Sequence, residues 1–191
     1  MVILIMKNLS NNFLIPMPHV NDPIFKKSLI YICSHDKDGA MGLIINKSIS
    51  DLKLKDEADS ILKETKLHQI NPKPNVYFGG PVDLNMGIIL HPLDYISKKT
   101  IKISNQVGVT SDSKILKDIA LGKGPSMFRF SIGYAGWSDG QLEDEFENGD
   151  WLIAPSNSEI IFDMPDEQKW AYINNQLGID INDISGHGGF A

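Results

Sequence analysis

Apolar and polar positions divide the 191-residue chain into short blocks with two different periods. The stretch SLIYICSHDKDGAMGLIIN reads as two strands, Ser28 to Ser34 and Ala40 to Asn46, joined by a polar loop that ends in Asp38-Gly39. Prolines at 16, 18 and 23 make the preceding PMPHVNDPIF extended and loop-like. From Asp51 to Leu67, Leu54, Ala58, Ile61 and Leu62 recur at helical spacing with Lys and Glu opposite, and NPKPN ends that helix. Strands follow near Val76 to Phe78 and Met86 to His91, separated by GGPVDLN. Thr110 or Ser111 is placed to cap a helix running to Leu121, stopped by Gly122 and Pro125. SMFRFSIGY alternates as a strand, and DWLIAPS and EIIFDM read as two more extended pieces. Pro165 suits the first turn of a last helix, with Asp166 and Glu167 at its positive end and Gly178 beyond it. No linker interrupts these elements, so the chain, residues 1–191, reads as one α+β domain.

Composition narrows the function classes. No apolar run is long enough to span a bilayer, and no basic stretch with a cleavage site marks a signal peptide. A single cysteine, Cys33, makes no internal disulfide and agrees with a reducing cytoplasm. Net charge is −6, and of 18 basic residues only Arg129 is an arginine. Duplex recognition draws on clustered cations and guanidinium forks, so direct nucleic-acid binding is disfavoured.

GYAGWSDGQLEDEFENGDW, Gly133 to Trp151, concentrates aromatic and acidic side chains. Ser138 and Gln141 have the spacing of a capping box, with Ser138 as N-cap. Leu142 and Phe146 then share the buried face, Glu143, Asp144, Glu145 and Glu147 are largely solvated, and Gly149 takes the left-handed position past the helix end. Adjacent acids on one helix diverge, unlike the converging pair of a glycosidase. The loop from Gly133 to Trp137, at a strand end, is where binding residues are often carried.

The motifs FLIPMPHVNDPIFKKSLIYICSHDKDGAMGLIIN, YFGGPVDLNMGIILH, TSDSKILKDIALGKGP and GYAGWSDGQLEDE…GDWLIAP occur together in that order. In this the chain resembles the AlgH/YqgE family of bacterial proteins, from about Asn8 onward. The resemblance implies an α+β fold: a branched, mostly antiparallel sheet with a small closed barrel, surrounded by about four helices. It assigns no reaction, the family label coming from regulation of alginate synthesis. Lys47 stands where the family commonly has Arg. The tail SGHGGFA puts Phe190 at the usual His position and His187 three places earlier.

Cys33, His35, Asp36 and Asp38 crowd one turn, with Cys33 and His35 two apart and so on one strand face. A structural zinc site wants four ligands, and only His91 offers itself from elsewhere, so neither metal nor cofactor is expected. Gly79-Gly80-Pro81 is either a backbone anion nest or a tight turn between strands; it lacks the Lys and hydroxyl of a P-loop. The reading that results is a non-catalytic cytoplasmic binding or regulatory module acting through a protein or small-molecule partner. Its candidate binding residues are His35, His91, Gly79, Gly80, Tyr134 and Trp137. The alternatives are a small enzyme, such as a hydrolase, with His35, His91 and Tyr134 in its pocket, and a transcriptional regulator. His35 and His91, each closing a strand, are expected to come close together in the fold, an arrangement that would favour catalysis over binding.

Overall fold

The computed structural model describes residues 8–49, 63 and 74–179. The expected helix over 51–67, and His187 and Phe190, lie outside the described residues. The strands are β1 (Asn12–Pro16), β2 (Ile30–Asp36), β3 (Gly39–Ile44), β4 (Val76–Phe78), β5 (Val82–Pro92), β6 (Ile101–Lys102), β7 (Val107–Thr110), β8 (Arg129–Ser138) and β9 (Trp151–Pro155). They form a curled half-barrel sheet in the order β6-β7-β5-β8-β3-β2-β1-β9, with β4 branching off β8. The β4–β8 pairing is parallel and every other strand pairing is antiparallel. Four described helices, α1 (Ser113–Ala120), α2 (Gln141–Glu147), α3 (Ser158–Phe162) and α4 (Asp166–Gln176), complete the α+β fold.

Two of the described helices cover each face. Ile115 and Ile119 of α1 and Leu142 of α2 join Ile30, Ile32 and Ile44 in one core. Ile160 and Ile161 of α3 and Ile173 of α4 join Tyr31, Leu43 and Leu90 in the other. A strand apolar on both sides reads as a continuous hydrophobic run, which is why SLIYIC does not alternate.

Several boundaries differ from the sequence reading. EIIFDM is not extended: its isoleucines fall in the single helical turn α3, whose N-cap Asn157 accepts the Glu159 N–H. One turn of helix is too short for its period to separate it from a strand. Asp112, not Thr110 or Ser111, caps α1 through the Lys114 N–H, because Thr110 is still paired in β7. Strands β1, β6 and β7 were not read from the pattern, and β5 begins within GGPVDLN at Val82.

A bulge in β2 matters most for the site. Ile32 pairs with Gly42 but Ser34 with Met41, so one residue is extra on β2. The period-2 rule therefore fails between Cys33 and His35. Cys33 packs in the α3–α4 core, whereas His35 turns to Leu9 and Glu143 on the α1–α2 side.

Candidate functional site

A cleft of about 550 Å³ opens where the β2–β3 hairpin meets β8 and the start of β5. That volume lies within the range of roughly 300–1,000 Å³ usual for ligand sites. Met41, Val82, Met86 and Tyr134 give it an apolar floor, and Asp36 and Asp38 stand among its lining residues. An irregular ladder creates the opening. Val82 pairs with Tyr134 and Gly87 with Ile132, so β5 uses more residues than β8 over the same stretch and bows away from it.

The glycines behind Tyr134 are explained by close backbone approach. A Cβ on Gly79 would stand 2.2 Å from the Gly133 carbonyl oxygen, and one on Gly80 would stand 2.2 Å from the Tyr134 carbonyl carbon. No larger residue fits at either position. The Gly79 N–H donates to Ile132 O and its carbonyl accepts the Ile44 N–H, so this amide belongs to the sheet and is not free to cradle an anion. Gly79 and Gly80 thus support the cleft from behind, while Tyr134 and Trp137 line it.

Trp137 is fixed from the opposite side. Its indole N–H donates to Glu145 Oε2 at 2.8 Å, and the Trp151 indole donates to the same oxygen at 2.7 Å. Gln141 donates to Glu145 Oε1, and its own Oε1 accepts the Ser138 N–H at 3.0 Å. The Trp137 and Trp151 rings meet edge to face at 5.9 Å. This network ties β8, α2 and β9 together and corrects two expectations. Glu143 and Glu145 are not merely solvated, since both bond to buried rings. Ser138 supplies only the backbone half of a capping box; it remains in the β8 ladder, and the N-cap is Gly140 at φ 72°. Leu142 is buried, Phe146 packs against the same core, and Gly149 is left-handed at φ 78°, as the sequence implied.

His35 and His91 are not brought together. β3 and β8 lie between their strands, and each ring is occupied. Leu9 N–H donates to His35 Nδ1 at 3.0 Å, so the ring proton sits on Nε2 and is donated to Glu143 at 2.8 Å. His91 is fully buried; its Nδ1–H donates to Pro92 O, and its Nε2 accepts from the Thr110 hydroxyl. Burial pushes the His91 pKa down, with Pro92 O and Asp94 acting in the other direction. Burial also raises the Cys33 thiol well above its ordinary range, the opposite of what a nucleophile needs. Among the described residues, no group of three or more His, Cys, Asp or Glu side chains is arranged to hold a metal ion.

A second polar cluster lies on the α3–α4 side. The lone arginine, Arg129, is buried; it donates to Ile161 O, to Ile45 O at 3.0 Å and to Asp166 at 2.7 Å, and it stacks over the Tyr77 ring at 4.4 Å. Lys169, also buried, donates to Ile161 O and to the same Asp166 oxygen at 2.7 Å. Both cations sit at the C-terminal end of α3, where the helix dipole favours positive charge.

Comparison with known proteins agrees with this architecture. The family described as AlgH-like (DUF179) matches residues 13–182. The chain belongs to the AlgH-like family. A UPF0301 protein of Marinomonas sp. (strain MWYL1) is 39% identical over 93% of this chain and 95% of its own. Another, from Cupriavidus metallidurans, is 40% identical over 96% of each. The solution structure of the AlgH protein from Pseudomonas aeruginosa is similar at TM-score 0.70 and 31% identity over 97% of each chain. A Corynebacterium diphtheriae protein shares the fold at TM-score 0.71 and 18% identity, over 95% of this chain and 94% of that one.

Within this AlgH-like chain, sequence reasoning missed Met41 and Met86 as cleft residues and Asp166 and Lys169 as partners of Arg129. A period-2 count from Tyr134 across paired strands carries no signal for the first pair, because the β5 irregularity displaces Met86. The composition did offer one for the second, a solitary arginine inside an apolar strand. Among the described residues, no helix is long and apolar enough to cross a membrane.

Proposed function

We propose that this chain is a non-catalytic binding module that holds a partner in the cleft between the β2–β3 hairpin and β5/β8. The observation that carries the reading is a preformed apolar floor, Met41, Val82, Met86 and Tyr134, on a scaffold braced from behind by Glu145 and its two indoles. The side chains a reaction would recruit are already engaged: both nitrogens of His35 and of His91 have partners, and the Cys33 thiol is buried. A cytoplasmic setting agrees with that single buried thiol. Direct duplex recognition forms no part of the proposal, since net charge is −6 and the one arginine is internal.

Methyl NMR with Met, Ile and Leu methyls labelled tests this. Fractionated bacterial extract should shift the Met41 and Met86 methyl signals and leave Ile88 and Leu90, in the core, unmoved. Turnover of ester or phosphoester substrates that is lost in His35→Ala or His91→Ala, both still folded, would replace the binding reading with the enzymatic one.

A further inference from the structure

We infer that the occupant of the cleft is a basic, apolar peptide segment of a partner protein, an inference that rests on the binding reading above. Among the described residues, the charged ones lining the cleft are Asp36 and Asp38, with no Lys, Arg or His beside them. Asp36 Oδ1 accepts the Asp38 N–H at 2.8 Å, an Asx turn that holds the Asp36 carboxylate at the hairpin tip with Asp38 beside it. The cation nearest in sequence, Lys37, pairs with Asp38 at 2.7 Å, but both side chains are more than three-quarters exposed. Such a solvated pair contributes little and exchanges readily for an incoming ammonium or guanidinium.

The floor selects the rest of the ligand. Met41 and Met86 are unbranched and polarizable, the side-chain type that adapts to varied apolar groups. Tyr134 adds an aromatic ring that attracts a cation over its face, and Gly136 leaves room beside it: a Cβ there would come within 3.1 Å of the ring. A free small amine would satisfy the carboxylates but leave this apolar floor uncovered. A chain of alternating apolar and basic side chains covers both. Because the cleft is open along one side, a segment crosses it without entering a closed pocket, and the acidic protein as a whole steers a basic partner toward it.

The test uses the full-length protein with methyl-labelled methionine and three capped pentapeptides, LKLKL, LQLQL and LELEL, with spermidine as the free-amine arm. LKLKL should shift the Met41 and Met86 methyls, bind more tightly than LQLQL or spermidine, and weaken as salt rises. The double substitution Asp36→Asn with Asp38→Asn, which keeps the acceptor of the Asx turn, should lower its affinity about fivefold, as for two exposed ion pairs. Equal binding of LQLQL and LKLKL in the cleft would overturn the basic partner while leaving the binding reading intact. Spermidine binding as tightly as LKLKL would overturn the peptide in favour of a free amine. Preference for LELEL, or shifts confined to other surfaces, would overturn the assignment of the cleft itself.

Discussion

The two charged regions of this sheet differ in where their partners come from. At the α3–α4 face, Arg129 and Lys169 are buried and converge on one carboxylate, Asp166, and one carbonyl, that of Ile161. Each polar group there is answered from within the protein, and the cluster joins β8, α3 and α4. At the hairpin end, Asp36 and Asp38 are exposed, and the cation paired with Asp38 is a solvated lysine of the same turn. Internal charge of the first kind fixes geometry because a lost partner leaves a desolvated ion behind. Charge of the second kind is tied to no packed element and remains available to something outside. The same contrast divides the acidic residues among themselves: Glu145 is committed to two indoles, while Asp36 and Asp38 face the cleft.

Removal of Asp166 should produce the largest effect. Asp166→Ala strands two buried cations, and breaking a buried pair in this way costs about 3–5 kcal/mol. Urea denaturation gives the value directly, and a loss below about 1 kcal/mol would mean that the cluster is solvated and the contrast between the regions false.

The same cluster makes a pH prediction. Lys169 is held at about 8, below its ordinary 10.5, chiefly by burial and then by the Arg129 charge, against the pull of Asp166. Between those two values the unfolded chain holds a proton that the folded chain has released. Folded-state stability therefore rises with pH through this window, as far as Lys169 is concerned. Burial raises the pKa values of Cys33 and Tyr31, which act in the opposite sense as their unfolded forms ionise. The difference between wild type and Lys169→Met isolates the lysine. The variant should match or exceed wild type at pH 7, since Asp166 keeps Arg129 and the methionine fills the space. Its advantage should shrink from pH 8 toward 10.5, and an advantage that stays constant would refute the displaced pKa.

Glu145→Ala comes next. It leaves two indole N–H groups without their shared acceptor, a loss of about 2 kcal/mol for hydrogen bonds to a charged group. Trp137 and Trp151 emission should shift to the red as α2 loosens. Glu145→Gln, which retains an acceptor oxygen, should restore most of the stability; failure to do so would assign the effect to charge and not to the hydrogen bonds.

How far the sequence reached follows the same physical division. Local chemistry was legible: the hairpin ending in Asp38-Gly39, the helix face of Leu142 and Phe146, Gly149 past its end, and Pro165 before α4 all depend on neighbours a few residues away. The motifs that resemble AlgH/YqgE proteins located the family and the fold. What was illegible depends on register. One extra residue in β2 moved His35 to the opposite face from Cys33, and the bowed β5 brought Met86 beside Tyr134. Both shifts arise from how strands pair across the sheet, which no periodicity within one strand reports. Glu145 was misread as solvated for a related reason: its acceptors' partners, Trp137 and Trp151, come from two strands that only the folded chain places on either side of α2.

The smallest expected effect on stability completes the contrast. Asp36→Asn together with Asp38→Asn changes two exposed carboxylates, and surface substitutions away from packed features stay within about 0.5 kcal/mol of wild type. Asparagine at position 36 still offers an oxygen to the Asp38 N–H, so the turn that shapes the hairpin tip survives. The lost ion pair with Lys37 is solvated on both sides and contributes almost nothing. Less net negative charge even relieves some repulsion in this acidic chain. Stability and binding should therefore part company: an unfolding midpoint unchanged within error, beside a measurable loss of affinity for a basic peptide. In Asp166→Ala the order reverses, with stability lost and cleft affinity retained wherever the protein remains folded. If the two asparagines instead destabilise the protein by more than 1 kcal/mol, the hairpin carboxylates serve the fold as Asp166 does, and the distinction between internal and presented charge fails.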